Sequence, residues 1–163
     1  MDSTLPKHTN LQFQCKIQES LLKGGIVLRS DNRSGNGKIR KAAVAGQFYS
    51  SSPVMLRVDV ERLLMAEIGK PLPLKLLMAP HAGYVFSGLV AAKGYALLPD
   101  TVRTVFLVGP SYRQWFSGVH ITDAQWYETP LGLVEVNEGI TRLLMDHPLS
   151  RKSTMDEEAE HGL

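Results

Sequence analysis

Three consecutive segments constrain this chain more than anything else in it. "LKLLMA" (74–79) is a short apolar run, "SGLVAAKGYALL" (87–98) is a stretch of small and apolar residues at helical length, and "TVRTVFLVG" (101–109) is β-branched. Strand, helix and strand at this spacing predict a βαβ unit, whose strands run parallel with a right-handed crossover. The expected fold class is therefore α/β, a mostly parallel sheet with flanking helices. Each predicted strand runs into a turn, "APHAGY" after the first and "GPSYR" after the second, so both turns fall at the carboxyl edge of the sheet. Ligands of open α/β sheets bind in the crevice at that edge. His81, Tyr84, Ser111 and Tyr112 are thus expected to face a common cleft.

The flanking segments fit one domain around this unit. Ser52-Pro53 reads as a helix start, and Leu56, Val60, Leu63, Leu64 and Ile68 then share one helical face before "GKPLP" breaks the run. "VHITDAQWYETPLGLVEVN" (119–137) predicts short extended pieces around a Pro-Leu-Gly turn, and Asn137 is placed to cap a helix through "EGITRLLMDH". Residues 1–38 differ: they are polar, carry "SDNRSGNGK" and offer only the short apolar stretch "GGIVL". They are expected to form a disordered leader outside a domain that spans 39–163. "GNGKIR" lacks the spacing of a phosphate loop and reads as a turn.

Charge and hydropathy narrow the function classes. Of 163 residues, 44% are hydrophobic and 21% charged, and the net charge is only +2. The charges are dispersed, without the basic stripe that tracks a phosphate backbone, so a nucleic-acid partner is not expected. The apolar runs are far shorter than the roughly 20 residues a membrane helix needs, and "MDSTLPKHTN" has no apolar signal core. A cytoplasmic protein without a membrane partner is the expectation. The single Cys15 has no internal disulfide partner.

The candidate chemistry centres on His81. A neutral imidazole at a strand-end turn suits metal ligation or general base work, and it equally suits a structural hydrogen bond in a tight turn. Ser111 in "GPSYR" suggests a nucleophile elbow but lacks the second glycine. The closing "MDEEAEHGL" joins an acidic run to His161, and such runs are commonly solvated faces. His120 alternates with Val119 and Ile121 and is expected to point away from them. His147 precedes a proline at a helix end, where it can cap. There is no HExxH and no cysteine pair.

The motifs together carry a resemblance. "AAVAGQFYSSSP", "LMAPHAGYVFSGLVAA", "VFLVGPS", "YETPLG" and "EHGL" resemble, in order and spacing, the Memo-like family, protein B of the AmmeMemoRadiSam group, from about Arg40 to the last residue. The resemblance implies a fold similar to class III non-haem iron dioxygenases and a cleft with metal-binding or redox capacity for iron, copper or zinc. It implies no established reaction, and for eukaryotic members it implies roles in motility signalling and metal handling. His81 matches a family metal ligand. The second ligand is the histidine that follows GPS in the family, and here that position is Tyr112. The third is a cysteine beyond the end of this sequence. Glu160 and His161 match the family's Glu-His-Ser element, with Gly162 in the serine position.

By this resemblance residues 39–163 are the N-terminal half of a Memo-like domain, with a vestigial or incomplete metal or redox cleft and no catalysis of its own. A metal-dependent oxidoreductase related to extradiol dioxygenases, a hydrolase using Ser111, and an interaction module using an open sheet edge are the alternatives. A half sheet exposes an edge and an apolar face, so self-association or pairing with a C-terminal half is expected.

Overall fold

A computed structural model describes residues 11–16, 37–65, 70–99, 101–112 and 115–152. Its elements, in chain order, are β1 (Leu11–Lys16), β2 (Ile39–Arg40), α1 (Pro53–Met65), α2 (Tyr84–Tyr95), β3 (Val105–Pro110), β4 (Val119–Ile121), β5 (Trp126–Thr129), β6 (Gly132–Glu135), α3 (Glu138–Met145) and β7 (Ser150–Lys152). The protein is a mixed α/β structure, with two small sheets and three helices among the described residues.

The helices begin where local chemistry says they should. The Ser52 hydroxyl accepts from the Met55 amide at 3.4 Å, one residue ahead of Pro53, whose missing N–H costs nothing in the first turn. Asn137 Oδ1 accepts from the Ile140 amide at 3.1 Å and caps α3. On α1, Leu56 is buried and Val60, Leu63 and Leu64 are partly so, as the helical spacing predicts; Ile68 lies outside the described residues. α1 packs on α2 where Gly88 lets the Leu63 side chain approach, since a Cβ there would sit 2.9 Å from Leu63 Cδ1.

The sheets depart from a single, mostly parallel array. The larger has the order β3-β1-β4-β7, with β1 antiparallel to β3 but parallel to β4, and β4 parallel to β7. The smaller has the order β2-β5-β6, with β2 parallel and β6 antiparallel to β5. "LKLLMA" forms no strand: residues 74–79 are irregular, with Leu76 82% and Met78 90% exposed. The expected βαβ unit thus keeps its helix, α2, and its second strand, β3, and loses its first. An apolar run asks only to be buried, whereas a strand also needs a neighbour for its N–H and C=O groups.

That neighbour for β3 is β1, from the segment expected to lie outside the fold. Its register runs from Leu11 opposite Pro110 to Lys16 opposite Val105. The sequence "LQFQCK" alternates apolar and polar residues with the period of a strand, a signal easily lost within polar surroundings. The rest of residues 1–36 lies outside the described residues.

Among the described residues the core is small. Ile121, at 1% exposure, is the largest fully buried side chain among them, and Ala124, Tyr127 and Val136 form a cluster with Val134 packed against it. The β5–β6 hairpin turns at Pro130-Leu131, as the Pro-Leu-Gly signal predicts: Gly132 has φ +128°, and the Thr129 hydroxyl donates to the Gly132 carbonyl at 2.9 Å. His120 lies on the opposite side of β4 from Ile121 and stacks on Phe116 with ring centroids 3.6 Å apart.

Asp123 ties the sheets together through Lys38 and Lys152, the latter at 3.2 Å. Burial alone would raise its carboxyl, but hydrogen bonds and charge from the two lysines outweigh that and lower it. A carboxylate lowered by folding contributes stability above its unfolded value, near ~3.9, and loses it as pH falls through the folded value. All three groups are partly solvated, so Asp123→Asn is expected to cost only about 0.5–1 kcal/mol at pH 7. Thermal melts at stepped pH should show the gap between variant and wild type closing below about pH 4. A gap that stays constant to pH 2 would show that the two lysines do not hold the carboxylate.

Candidate functional site

The "PHAGY" turn is fixed by bonds that its own sequence supplies. The buried Ser87 hydroxyl, one turn into α2, reaches back to the Ala82 carbonyl at 2.8 Å. The Tyr84 amide donates to the Phe48 carbonyl at 2.7 Å, which anchors the start of α2 to the "AGQFY" loop. Gly83 sits where a Cβ would press to within 3.4 Å of that carbonyl. His81 therefore projects from a pinned turn ahead of α2.

On the other side, β3 ends at Pro110 and hands the chain to Ser111 and Tyr112. The Tyr112 hydroxyl lies 3.2 Å from His81 Nε2, and the two rings are 5.9 Å apart, tilted by 47°. The structure thus brings together His81 and Tyr112, 31 residues apart in sequence. It does so at the surface, since His81 is exposed and Tyr112 is 52% exposed. Ser111 adjoins the pair through the chain and is partly buried. Glu160 and His161 lie outside the described residues.

Tyr84 faces Tyr49, with ring centroids 5.6 Å apart. Burial first, then the neighbouring phenols of Tyr49 and Tyr95, push the Tyr84 hydroxyl above its ordinary value. It therefore keeps its proton at neutral pH and acts as a donor, not as an anionic ligand. Tyr49 is likewise raised by burial, with Arg40 pulling it partly back. Arg40 itself is buried at 4% exposure, its guanidinium 5.0 Å from the centre of the Tyr127 ring. Sequence reasoning missed Arg40 and Tyr49. In the sequence Arg40 is one of two basic residues ahead of the apolar segment that starts at Ala42, and nothing in that spacing names an aromatic partner 87 positions away.

The donor set at His81 can be tested against a metal. Among the described residues, no three His, Cys, Asp or Glu side chains come together in a way that could hold a metal ion. Beside His81 stands the Tyr112 phenol, where a divalent metal site would call for an imidazole, thiolate or carboxylate. The Tyr112 hydroxyl is hydrogen-bonded to His81 Nε2, a ring nitrogen that a metal would use as its ligand. One imidazole with its coordinating nitrogen engaged does not fit a metal centre by itself. No described helix is long and apolar enough to cross a membrane.

Residues 40–163 match the family described as Memo-like protein. The chain is 40% identical to a "MEMO1 family protein" of Methanopyrus kandleri across 65% of its own length and 41% of the relative's. It is 35% identical to a "MEMO1 family protein" of Sulfolobus acidocaldarius, across 77% and 49% respectively. "Protein MEMO1" of Danio rerio is 31% identical, across 76% and 42%. The chain thus spans less than half the length of each of these relatives.

Proposed function

Because the chain belongs to the Memo-like family, we propose that it carries part of that family's cleft, in which the metal or redox position at His81 is incomplete. The complete domain would have a fold similar to that of class III non-haem iron dioxygenases, with the segment 74–79 as one of its sheet strands. The observation that carries this reading is the 3.2 Å contact between the Tyr112 hydroxyl and His81 Nε2. Tyr112 occupies the position at which the resemblance expects a histidine ligand, and its hydroxyl engages the nitrogen that would bind metal. The residues present can exchange hydrogen bonds and hold the imidazole in one orientation. They do not supply the three or so ligands in fixed geometry that a tight site needs. Catalysis is therefore not expected of this chain alone.

Calorimetric titration tests the reading. The wild-type chain should take up zinc, iron(II) or copper(II) weakly and without a defined stoichiometry. Tyr112→His should strengthen zinc binding on the order of tenfold, the scale of one further interaction at a metal site, and adding His81→Ala should remove that gain. Tight one-to-one binding that survives His81→Ala would place the metal site elsewhere.

A further inference from the structure

β3 and β4 follow one another in the chain, joined by residues 111–118, yet they are not neighbours in the sheet. Consecutive strands are adjacent more often than not. Here β1 lies between them, antiparallel to β3 from Leu11 to Lys16 and parallel to β4 from Leu11 to Phe13. β3 and β4 therefore run antiparallel to each other, two strand spacings or about 10 Å apart. The strand that fills this opening differs in origin from its walls. The family match covers residues 40–163, which include β3 and β4 and leave β1 out. Two facing rows of backbone N–H and C=O groups inside the family region are thus satisfied by a segment from outside it.

We propose that the opening between β3 and β4 is an acceptor site for an extended peptide strand, and that Leu11–Lys16 is its intramolecular occupant. Main-chain pairing on two sides supplies the affinity, as in other cases of strand addition, and the alternation of side chains between the two faces of the sheet sets the pattern. The occupant spells that pattern out, since "LQFQCK" places apolar and polar residues at alternate positions. Its hold on β4 ends at Phe13, so exchange begins on that side. Because β1 belongs to the same chain, its rebinding is intramolecular, and a free peptide competes only once that pairing is weakened. The inference concerns the larger sheet and is independent of the His81 reading.

Two experiments on the full chain test it. Cys15 stands opposite Phe106 in the register of β1 and β3, and directly opposed residues of an antiparallel pair lie at a Cα separation that a disulfide can span. Phe106→Cys, at a half-exposed position, should form an intramolecular disulfide under mild oxidation. It should do so at least about tenfold faster than Val105→Cys, at a position that faces the other side of the sheet. Equal rates would overturn the proposal, and so would disulfide-linked dimers, which would assign the opening to a second copy of the chain. The second experiment uses Gln12→Pro, which removes a backbone donor where β1 is paired with both Gly109 and His120. The probe is a synthetic peptide of residues 9–18 carrying Cys15→Ser. Well above its Kd it should raise the melting temperature of Gln12→Pro by several degrees and slow amide exchange in β3 and β4. If Gln12→Pro is unfolded alone, restored folding is the same signal. Wild type and the oxidised Phe106→Cys chain, whose occupant cannot leave, should not respond. A Gln12→Pro chain that ignores the peptide, or responds equally to a scrambled one, would show that the opening accepts no strand in trans and would sink the proposal.

Discussion

Replacing Gly118 with alanine is expected to destabilise the protein by about 3 kcal/mol or more. Gly118 has φ +98°, a region where a side chain costs on the order of 1–3 kcal/mol. A Cβ there would also fall closer than 3.0 Å to the Leu149 carbonyl oxygen, a backbone atom that cannot swing aside as a side chain can. That same carbonyl accepts from the Val119 amide at 2.9 Å, the bond that opens the β4–β7 pairing. Relieving the clash therefore separates the strands and adds about 1 kcal/mol for the lost hydrogen bond. Urea unfolding should show the loss, and hydrogen exchange should show the Val119 amide opening first. Gly139→Ala is the control: its φ is negative, a Cβ meets only Asn137 Oδ1 at 3.4 Å, and the change should stay below about 1 kcal/mol. Equal effects of the two substitutions would mean that Gly118 is not where the strands are pinned.

Ile121→Ala should cost about 3 kcal/mol, within the 2–5 kcal/mol range for emptying a fully buried aliphatic site. Ile121 sits on β4 between β1 and β7 and is 1% exposed. So few apolar side chains are buried among the described residues that little else can move in to fill the space. For a chain of this size such a loss lowers Tm by roughly 6–12 °C. Leu143→Ala, at an exposed position, should change stability by less than about 0.5 kcal/mol. If Ile121→Ala proved as mild as Leu143→Ala, the larger sheet would not be the stabilising unit described here.

Both predictions concern strand pairings between distant parts of the chain, which is where sequence reading was weakest. What depends on neighbours along the chain was legible: Ser52 and Asn137 as caps, the turn at Pro130-Leu131-Gly132, the single buried face of α1. What depends on competition between segments was not. "LKLLMA" and "LQFQCK" both have strand character, the first by apolarity and the second by alternation. Only the geometry around β3 decides that Leu11–Lys16 pairs there and 74–79 does not. The meeting of His81 and Tyr112 lies between these cases. Placing both at strand-end turns made them plausible neighbours, although the first strand is unformed and the turn is held by Ser87 and Phe48 instead. The stacking of Arg40 on Tyr127 left no local trace, because a cation and a ring so far apart carry no spacing rule.

Tyr112 engages the His81 nitrogen that a metal would need. The most direct measurement is an NMR titration that follows the His81 imidazole nitrogens as zinc is added to the wild-type chain. The His81 signals should stay in place through one equivalent, with Nε2 hydrogen-bonded to the Tyr112 hydroxyl and shifting when Tyr112→Phe removes that bond. A saturating displacement of His81 Nε2 at one equivalent of zinc, with Tyr112 intact, would contradict the account.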